Sequence, residues 1–264
     1  METSAEHTHQ PEDYQMAFDP DAYLKHFFAR ESIEDGTRMS LFALPVFAQR
    51  IVQSMLPHER ETLLDVGAGP TVYTALCFRE VVNTVYLSDY LEQNLDVLRK
   101  WRDNASTCDW KPTIKVIKRT EGGLPASDRE MDEIEEKARA SVKRGGIMYA
   151  NIHESPVVPE LKDQQVDIIV TIFTLESACR TYAEYCQGVS NIVNHLRPGG
   201  SIIIGSVLED DSYNSGNQVI FSLLYLTEHQ ILNALGNAGI DLNSVKKYVL
   251  NDEGVMFLMA NKRS

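Results

Sequence analysis

Residues 63–73 read Leu-Leu-Asp-Val-Gly-Ala-Gly-Pro-Thr-Val-Tyr, an apolar run that enters a turn with glycine at positions 67 and 69. A second apolar run, residues 81–87, ends in Ser88-Asp89-Tyr90. A strand, a glycine turn, a helix and a strand closing on a carboxylate make half of a nucleotide-binding α/β unit. Residues 63–66 are too apolar for a strand wetted on one face, so the sheet is expected to be covered on both sides. The turn is not G-x-G-x-x-G, because Val72 and Tyr73 stand where a third small residue would pack the helix. A ligand without phosphates is therefore expected over a dinucleotide. Asp89 follows the turn by about twenty residues, the place where an acid accepts hydrogen bonds from a ribose diol. Tyr90 beside it offers a face for adenine, and Asn94, one helical turn later, can point back to the same ligand.

Composition narrows the class. The 264 residues carry 25 basic against 38 acidic side chains, a formal charge of −13, and the basic residues are scattered. Binding to a polyanion calls for clustered Lys and Arg, so no nucleic-acid partner is expected. No apolar run approaches the roughly eighteen residues of a membrane span. Residues 1–13 are polar, without a basic start or an apolar stretch, so they do not read as a signal peptide. A cytoplasmic protein with a flexible N-terminus over residues 1–17 is expected, with one domain over 18–264. The four cysteines, Cys77, Cys108, Cys179 and Cys186, form no C-x-x-C pair, so free thiols and no metal site are expected.

The rest of the chain fits an alternating α/β pattern. Asp19 or Asp21 can cap a helix with Pro20 in its first turn, and Tyr23, Phe27 and Phe28 then share one side. That side reads either as packing on the core or as an aromatic lid over a flat ligand. Residues 40–56 are amphipathic, and Pro45 predicts a helix starting near it. These segments make an N-terminal helical cap over 18–60. Residues 121–146 are charged and read as a surface insertion holding a solvated helix. Strands are expected at 147–152, where Asn151 can pair with an adenine edge, and at 166–173. The latter runs into Glu176, just past a strand's carboxyl end, where open α/β sheets place ligands. A helix over 182–196 stops at Arg197-Pro198-Gly199-Gly200 and feeds a strand at 201–207, followed by the acids Glu209, Asp210 and Asp211. Thr227 and Gln230 form a capping box for a helix over 228–238. Residues 246–250 and 255–260 read as an antiparallel hairpin turning through 251–254.

This order looks like the Rossmann-like methyltransferase fold: α/β, with a seven-stranded, mostly parallel sheet, a C-terminal antiparallel pair and helices on both faces. Tyr23-Leu24, the run from Asp65 to Tyr73, Ser88-Asp89-Tyr90 with Asn94, Leu175-Glu176 with Cys179, and Leu196-Arg197-Pro198-Gly199-Gly200 together resemble the nicotinamide, phenylethanolamine and indolethylamine N-methyltransferase family. The resemblance implies S-adenosyl-L-methionine as cofactor. It implies that Tyr23 and Phe28 close over cofactor and acceptor, and that Gly67 and Ala68 let the methionine part lie on the turn. It places Tyr73 at the carboxylate end, Asp89 on the ribose, Tyr90 and Asn94 on the adenosine, Asn151 and Ile152 beside the adenine, and Ile172 on the pocket wall. The family commonly has tyrosine where this chain has Phe28 and aspartate where it has Asn151. Glu176 and Asp210 match acidic positions around the substrate amine of the phenylethanolamine-type member and are the expected catalytic pair. The nicotinamide-type member has an aspartate where this chain has Ser206. The implied activity is methyl transfer to the nitrogen of a small amine by a monomer. A pyridine-ring nitrogen, nicotinamide included, and a non-catalytic cofactor-binding protein are the alternatives.

Overall fold

The computed structural model describes residues 8–29, 36–250 and 254–264. The chain opens with β1 (Thr8–His9), a 3-10 turn at Pro11–Asp13, and α1 (Tyr14–Ala17). Within the N-terminus expected to be flexible over 1–17, residues 8–17 form these elements; residues 1–7 lie outside the described residues. Polar composition hid the apolar pair that holds this segment: Tyr14 and Phe18 pack with buried Phe221, the Tyr14 and Phe221 rings stacked at 4.0 Å.

The helices α2 (Pro20–Phe28) and α3 (Gly36–Ser54) follow, then β2 (Thr62–Val66), α4 (Tyr73–Phe78) and β3 (Thr84–Asp89). As expected, Asp19 caps α2, its Oδ1 accepting from the backbone N–H of Asp21 at 2.9 Å and of Ala22 at 3.2 Å. Pro45 does not start α3 but sits inside it. An interior proline costs roughly 3 kcal/mol. Leu41, Leu44, Phe47 and Ile51 are fully buried on the same helix, and burying each such side chain returns about 1.5–3 kcal/mol. Tertiary packing therefore outweighs the local break.

Next come α5 (Glu92–Arg102), α6 (Lys111–Thr120) and α7 (Asp128–Gly145), leading into β4 (Gly146–Tyr149). The expected surface insertion over 121–146 is corrected here. Met131, Ala138 and Val142 make a buried stripe on α7, which packs on β3 and returns the chain to the sheet edge. Dense Glu and Lys along the exposed faces masked that stripe. Then follow β5 (Val166–Ile172), the single turn α8 (Leu175–Ala178), α9 (Tyr182–Asn194), β6 (Leu196–Val207), β7 (Ser212–Asn214), β8 (Ile220–Ser222), α10 (Glu228–Asn237), β9 (Ile240–Leu250) and β10 (Val255–Lys262).

The main sheet has seven strands in the order β4-β3-β2-β5-β6-β10-β9, parallel from β4 to β6, with β10 antiparallel to both neighbours. Its hairpin joins β9 to β10 as expected, although residues 251–253 of the turn lie outside the described residues. Side chains alternate between two apolar clusters. Leu63, Ile203 and Phe257 face the cluster under α3 to α7, while Leu64, Ile202 and Leu258 face the one under α9 and α10. Both faces are buried, which is why the strands read as near-continuous apolar runs. A second, three-stranded sheet, β1-β8-β7, stands at the carboxyl end of the main sheet's parallel strands and carries the N-terminal segment.

Candidate active site

The strand order reverses between β2 and β5, so the loops after these strands part and leave a crevice. A cavity of about 510 Å³ occupies it, walled by the glycine turn, the ends of β3, β4 and β5, α8, and the N-terminal segment with Tyr213. The turn is held from β3. The backbone N–H groups of Gly67 and Ala68 both donate to the Ser88 carbonyl at 2.9 Å, and Ser88 Oγ donates to the Asp65 carbonyl at 2.8 Å. Gly67 and Gly69 both have positive φ, +77° and +59°, where L side chains are strained. A Cβ on Gly67 would fall 2.2 Å from Thr174 Cγ2, whereas one on Gly69 would meet no atom within 4 Å. Gly69 is therefore a cradle position: its missing side chain leaves room on the cavity wall.

Asp89 completes the turn's support. Its Oδ2 accepts from the Gly69 N–H at 2.7 Å, and its Oδ1 accepts from the Leu91 N–H at 2.9 Å and from Asn94 Nδ2 at 3.0 Å. Burial pushes the carboxyl above its ordinary value, while these donors pull it back. A carboxylate offers about four lone-pair sites, and the N–H groups of Gly69 and Leu91 with Asn94 take three of them. Asn94 Oδ1 is buried and accepts no hydrogen bond from any described protein group. An orphaned acceptor beside a carboxylate at the end of the second strand suits a ligand that brings hydroxyl donors, and together with the open Gly69 it fits the adenosine and ribose of S-adenosylmethionine.

The sequence-derived residues are placed as follows. Tyr23, Gly67, Ala68, Tyr73, Asp89, Tyr90, Asn94, Asn151, Ile152 and Ile172 all line the one cavity. Desolvation pushes the Tyr23 and Tyr73 phenols upward, so both stay neutral donors. The amide of Asn151 is spent largely on its own loop: Nδ2 donates to Glu154 Oε1 at 2.9 Å and Oδ1 accepts from the His153 N–H at 3.1 Å.

Three expectations are corrected. Phe28 does not reach the cavity but stacks on Tyr73, centroids 5.7 Å apart, and belongs to the core. Lacking a hydroxyl, it is free to be buried, and it supports Tyr73 from behind. Asp210 is exposed, with its Oδ1 accepting from the Asp211 N–H at 2.8 Å, and it is not on the cavity wall. Glu209 adopts φ +56°, its N–H donating to the Leu226 carbonyl at 2.9 Å, and beyond this turn Asp210 lies in solvent. Water solvates a carboxylate better than an interior without a countercharge. Glu176 is buried behind the wall that its neighbours Thr174, Ser177 and Ala178 form. Its Oε1 accepts from the Val207 N–H at 2.7 Å, tying α8 to β6, and burial raises its carboxyl to about 7. The expected pair of carboxylates facing an amine does not form.

Sequence reasoning missed the aromatic end of the cavity, bordered by Tyr14, Phe18, Phe173 and Tyr213. The Tyr14 and Tyr213 hydroxyls lie 2.9 Å apart, and burial raises the Tyr14 phenol to about 12. The i, i+4 spacing of Tyr14 and Phe18 was the available signal. Phe173 holds φ +55° at the end of β5, a strained conformation for a bulky residue that turns the chain into α8. Charged groups on the wall are Glu12, Asp89, Arg180 and Glu184.

A sequence profile described as the NNMT/PNMT/TEMT family matches residues 6–263. Nicotinamide N-methyltransferase of Caenorhabditis elegans is 28% identical over 95% of this chain and 91% of that protein. Indolethylamine N-methyltransferase of Oryctolagus cuniculus is 29% identical over 92% of this chain and 96% of its own length. Among solved structures, magnesium protoporphyrin IX methyltransferase from Synechocystis PCC 6803 with bound SAM shares the fold at TM-score 0.58 and 12% identity, covering 96% of this chain and 95% of that one.

Proposed function

This chain belongs to the NNMT/PNMT/TEMT family and is an S-adenosylmethionine-dependent N-methyltransferase, and we propose that its acceptor is a flat aromatic small molecule presenting an amine or ring nitrogen. The observation that carries this reading is the aromatic end of the cavity, where Tyr14, Phe18, Phe173 and Tyr213 meet the same space as the glycine turn and Asp89. Aromatic walls favour a planar acceptor by stacking, worth about 0.5–1.5 kcal/mol per ring pair beyond the buried area.

When bound, the cofactor supplies a methyl group already activated on a sulfonium, so the protein's part is placement. Asp89 and Asn94 would hold the ribose, Gly67 to Gly69 would give backbone access beside it, Ile152 would flank the adenine, and Ile172 would line the pocket wall. Tyr23 and Tyr73 would donate hydrogen bonds from phenols that stay protonated. The strap carrying Tyr14 and Phe18 would cover the acceptor and exclude water. Glu176 does not line the cavity; burial is the main cause that raises the Tyr14 and Tyr213 phenols, and the Glu176 charge adds a smaller push in the same direction. Asp210 lies in solvent, and the carboxylates among the described wall residues, Glu12, Asp89 and Glu184, already have hydrogen-bond or ion-pair partners in the protein. Arylalkylamines and N-heterocycles such as nicotinamide therefore both fit.

The test is binding followed by turnover. S-adenosylmethionine should bind one to one by titration calorimetry, and phenethylamine, tryptamine or nicotinamide should then yield an N-methyl product. Failure to bind S-adenosylmethionine sinks the reading at its root. Binding without methylation of any aromatic amine or N-heterocycle removes the acceptor class.

A further inference from the structure

Arg180 is the only lysine or arginine on the cavity wall among the described residues. It stands between α8 and α9, and its position is fixed by its own backbone, whose N–H donates to Glu184 Oε2 at 2.8 Å. Thr181 caps α9 immediately after it. The guanidinium is ion-paired with Glu12 of the N-terminal strap, both side chains about half exposed at 54% and 53%. A backbone N–H and Arg180 together hold the Glu12 carboxyl below its ordinary value, so it stays ionised. A carboxylate supplied by the chain itself thus already occupies the guanidinium at the cavity wall.

We propose that Arg180 selects aromatic acceptors that also carry a carboxylate, the substrate's anion taking the place that Glu12 holds in the free protein. This rests on the methyltransferase reading above and specifies its acceptor. A neutral amine leaves the Glu12–Arg180 pair as it is and draws nothing from it. An acceptor with a carboxylate exchanges one charge-assisted pair for another, and Glu12, already half in water, is released to solvent at small desolvation cost. Guanidinium–carboxylate recognition is planar and two-pronged, so it also orients the ring it holds. The remaining wall carboxylates make other hydrogen bonds. Asp89 accepts from the glycine turn and Asn94, and Glu184 accepts from the Arg180 backbone.

A purely mechanical latch makes a different prediction from a competitor. If the pair only fastens the strap, breaking it from either side has the same effect. If Glu12 stands in for a substrate carboxylate, the two sides act in opposite directions. Matched acceptors, phenylalanine against phenethylamine and nicotinate against nicotinamide, are titrated into the protein saturated with S-adenosylhomocysteine. The readout is the ratio of dissociation constants within each pair. In Arg180→Gln the preference for the carboxylate-bearing partner should fall about tenfold. In Glu12→Gln it should rise several-fold, because the internal competitor is gone. Both side chains are half exposed, and the ratio within a pair cancels any general loosening of the strap. A preference that moves the same way in both variants, or in neither, overturns the proposal. Absence of S-adenosylhomocysteine binding to the unaltered protein would instead sink the methyltransferase reading, and this inference with it.

Discussion

Two alanine substitutions, two residues apart, separate the folding role of the glycine turn from its binding role. Both Gly67 and Gly69 lie at positive φ, and placing an L residue there costs roughly 1–2 kcal/mol. Replacing glycine by alanine also restricts the unfolded chain, which returns about 0.4–1 kcal/mol. At Gly69 the added methyl meets no atom within 4 Å, so the net loss should stay below about 1.6 kcal/mol. At Gly67 the methyl would fall 2.2 to 2.8 Å from three side-chain atoms of Thr174. Thr174 Oγ1 lies 3.1–3.3 Å from the carbonyls of Val66, Gly67 and Ile172 and donates its single proton among them, so moving it disturbs the turn and the end of β5 together. Overpacking of about 1–3 kcal/mol adds to the backbone strain, giving a loss of roughly 2–4 kcal/mol for Gly67→Ala. At about 2–4 °C per kcal/mol in a chain of this size, its melting temperature should drop by roughly 5–15 °C. Gly69→Ala should melt within a few degrees of the parent by calorimetry and yet bind S-adenosylmethionine at least about tenfold more weakly, since its methyl stands on the cavity wall. Trimming Thr174 to glycine should restore part of the stability of Gly67→Ala. If Gly67→Ala melts like Gly69→Ala, or if Gly69→Ala binds the cofactor like the parent, the reasoning about this turn is wrong.

Asp89→Asn replaces an acceptor with a donor opposite the N–H of Gly69 or Leu91, so cofactor affinity should fall by about tenfold or more in calorimetric titration. Asp210→Asn should leave turnover with aromatic amines within twofold of the parent in a steady-state assay, because this carboxylate faces solvent. Asp65 and Glu176 are both raised by burial to about 7, so the folded state holds their protons more tightly than the unfolded chain does. Their contribution to stability is complete below the ordinary carboxyl range near 4 and is lost as pH rises through about 7. Urea unfolding should therefore show stability declining between about pH 4 and pH 7, and Glu176→Gln should flatten part of that slope.

The main sheet was legible because its strands are buried on both faces. Leu63 to Val66 and Val166 to Ile172 announce themselves as apolar runs, and chain order then sets the crossovers. Which strand-end residues line the cavity was legible for the same reason. Gly67, Asp89, Asn151 and Ile172 sit at strand ends, and strand ends converge on one edge of a parallel sheet. The acceptor end sits on loops, where direction depends on single backbone angles. The positive φ at Glu209 leads Asp210 out to solvent, and that of Phe173 turns the chain so that Glu176 packs behind the wall, yet neither angle has a periodic signature. Tyr14 was hidden in a polar terminus whose order comes from pairing with β8 and stacking on Phe221, residues two hundred positions away in sequence. Pro45 shows the converse, a clear local signal overridden by a fully buried helix face.

The central claim is tested most directly by incubating the protein with methyl-labelled S-adenosylmethionine and phenethylamine, tryptamine or nicotinamide, and following the label by mass spectrometry. The account predicts label on the acceptor nitrogen, with S-adenosylhomocysteine formed in equal amount. Tight cofactor binding with no label on nitrogen of any aromatic acceptor would contradict it.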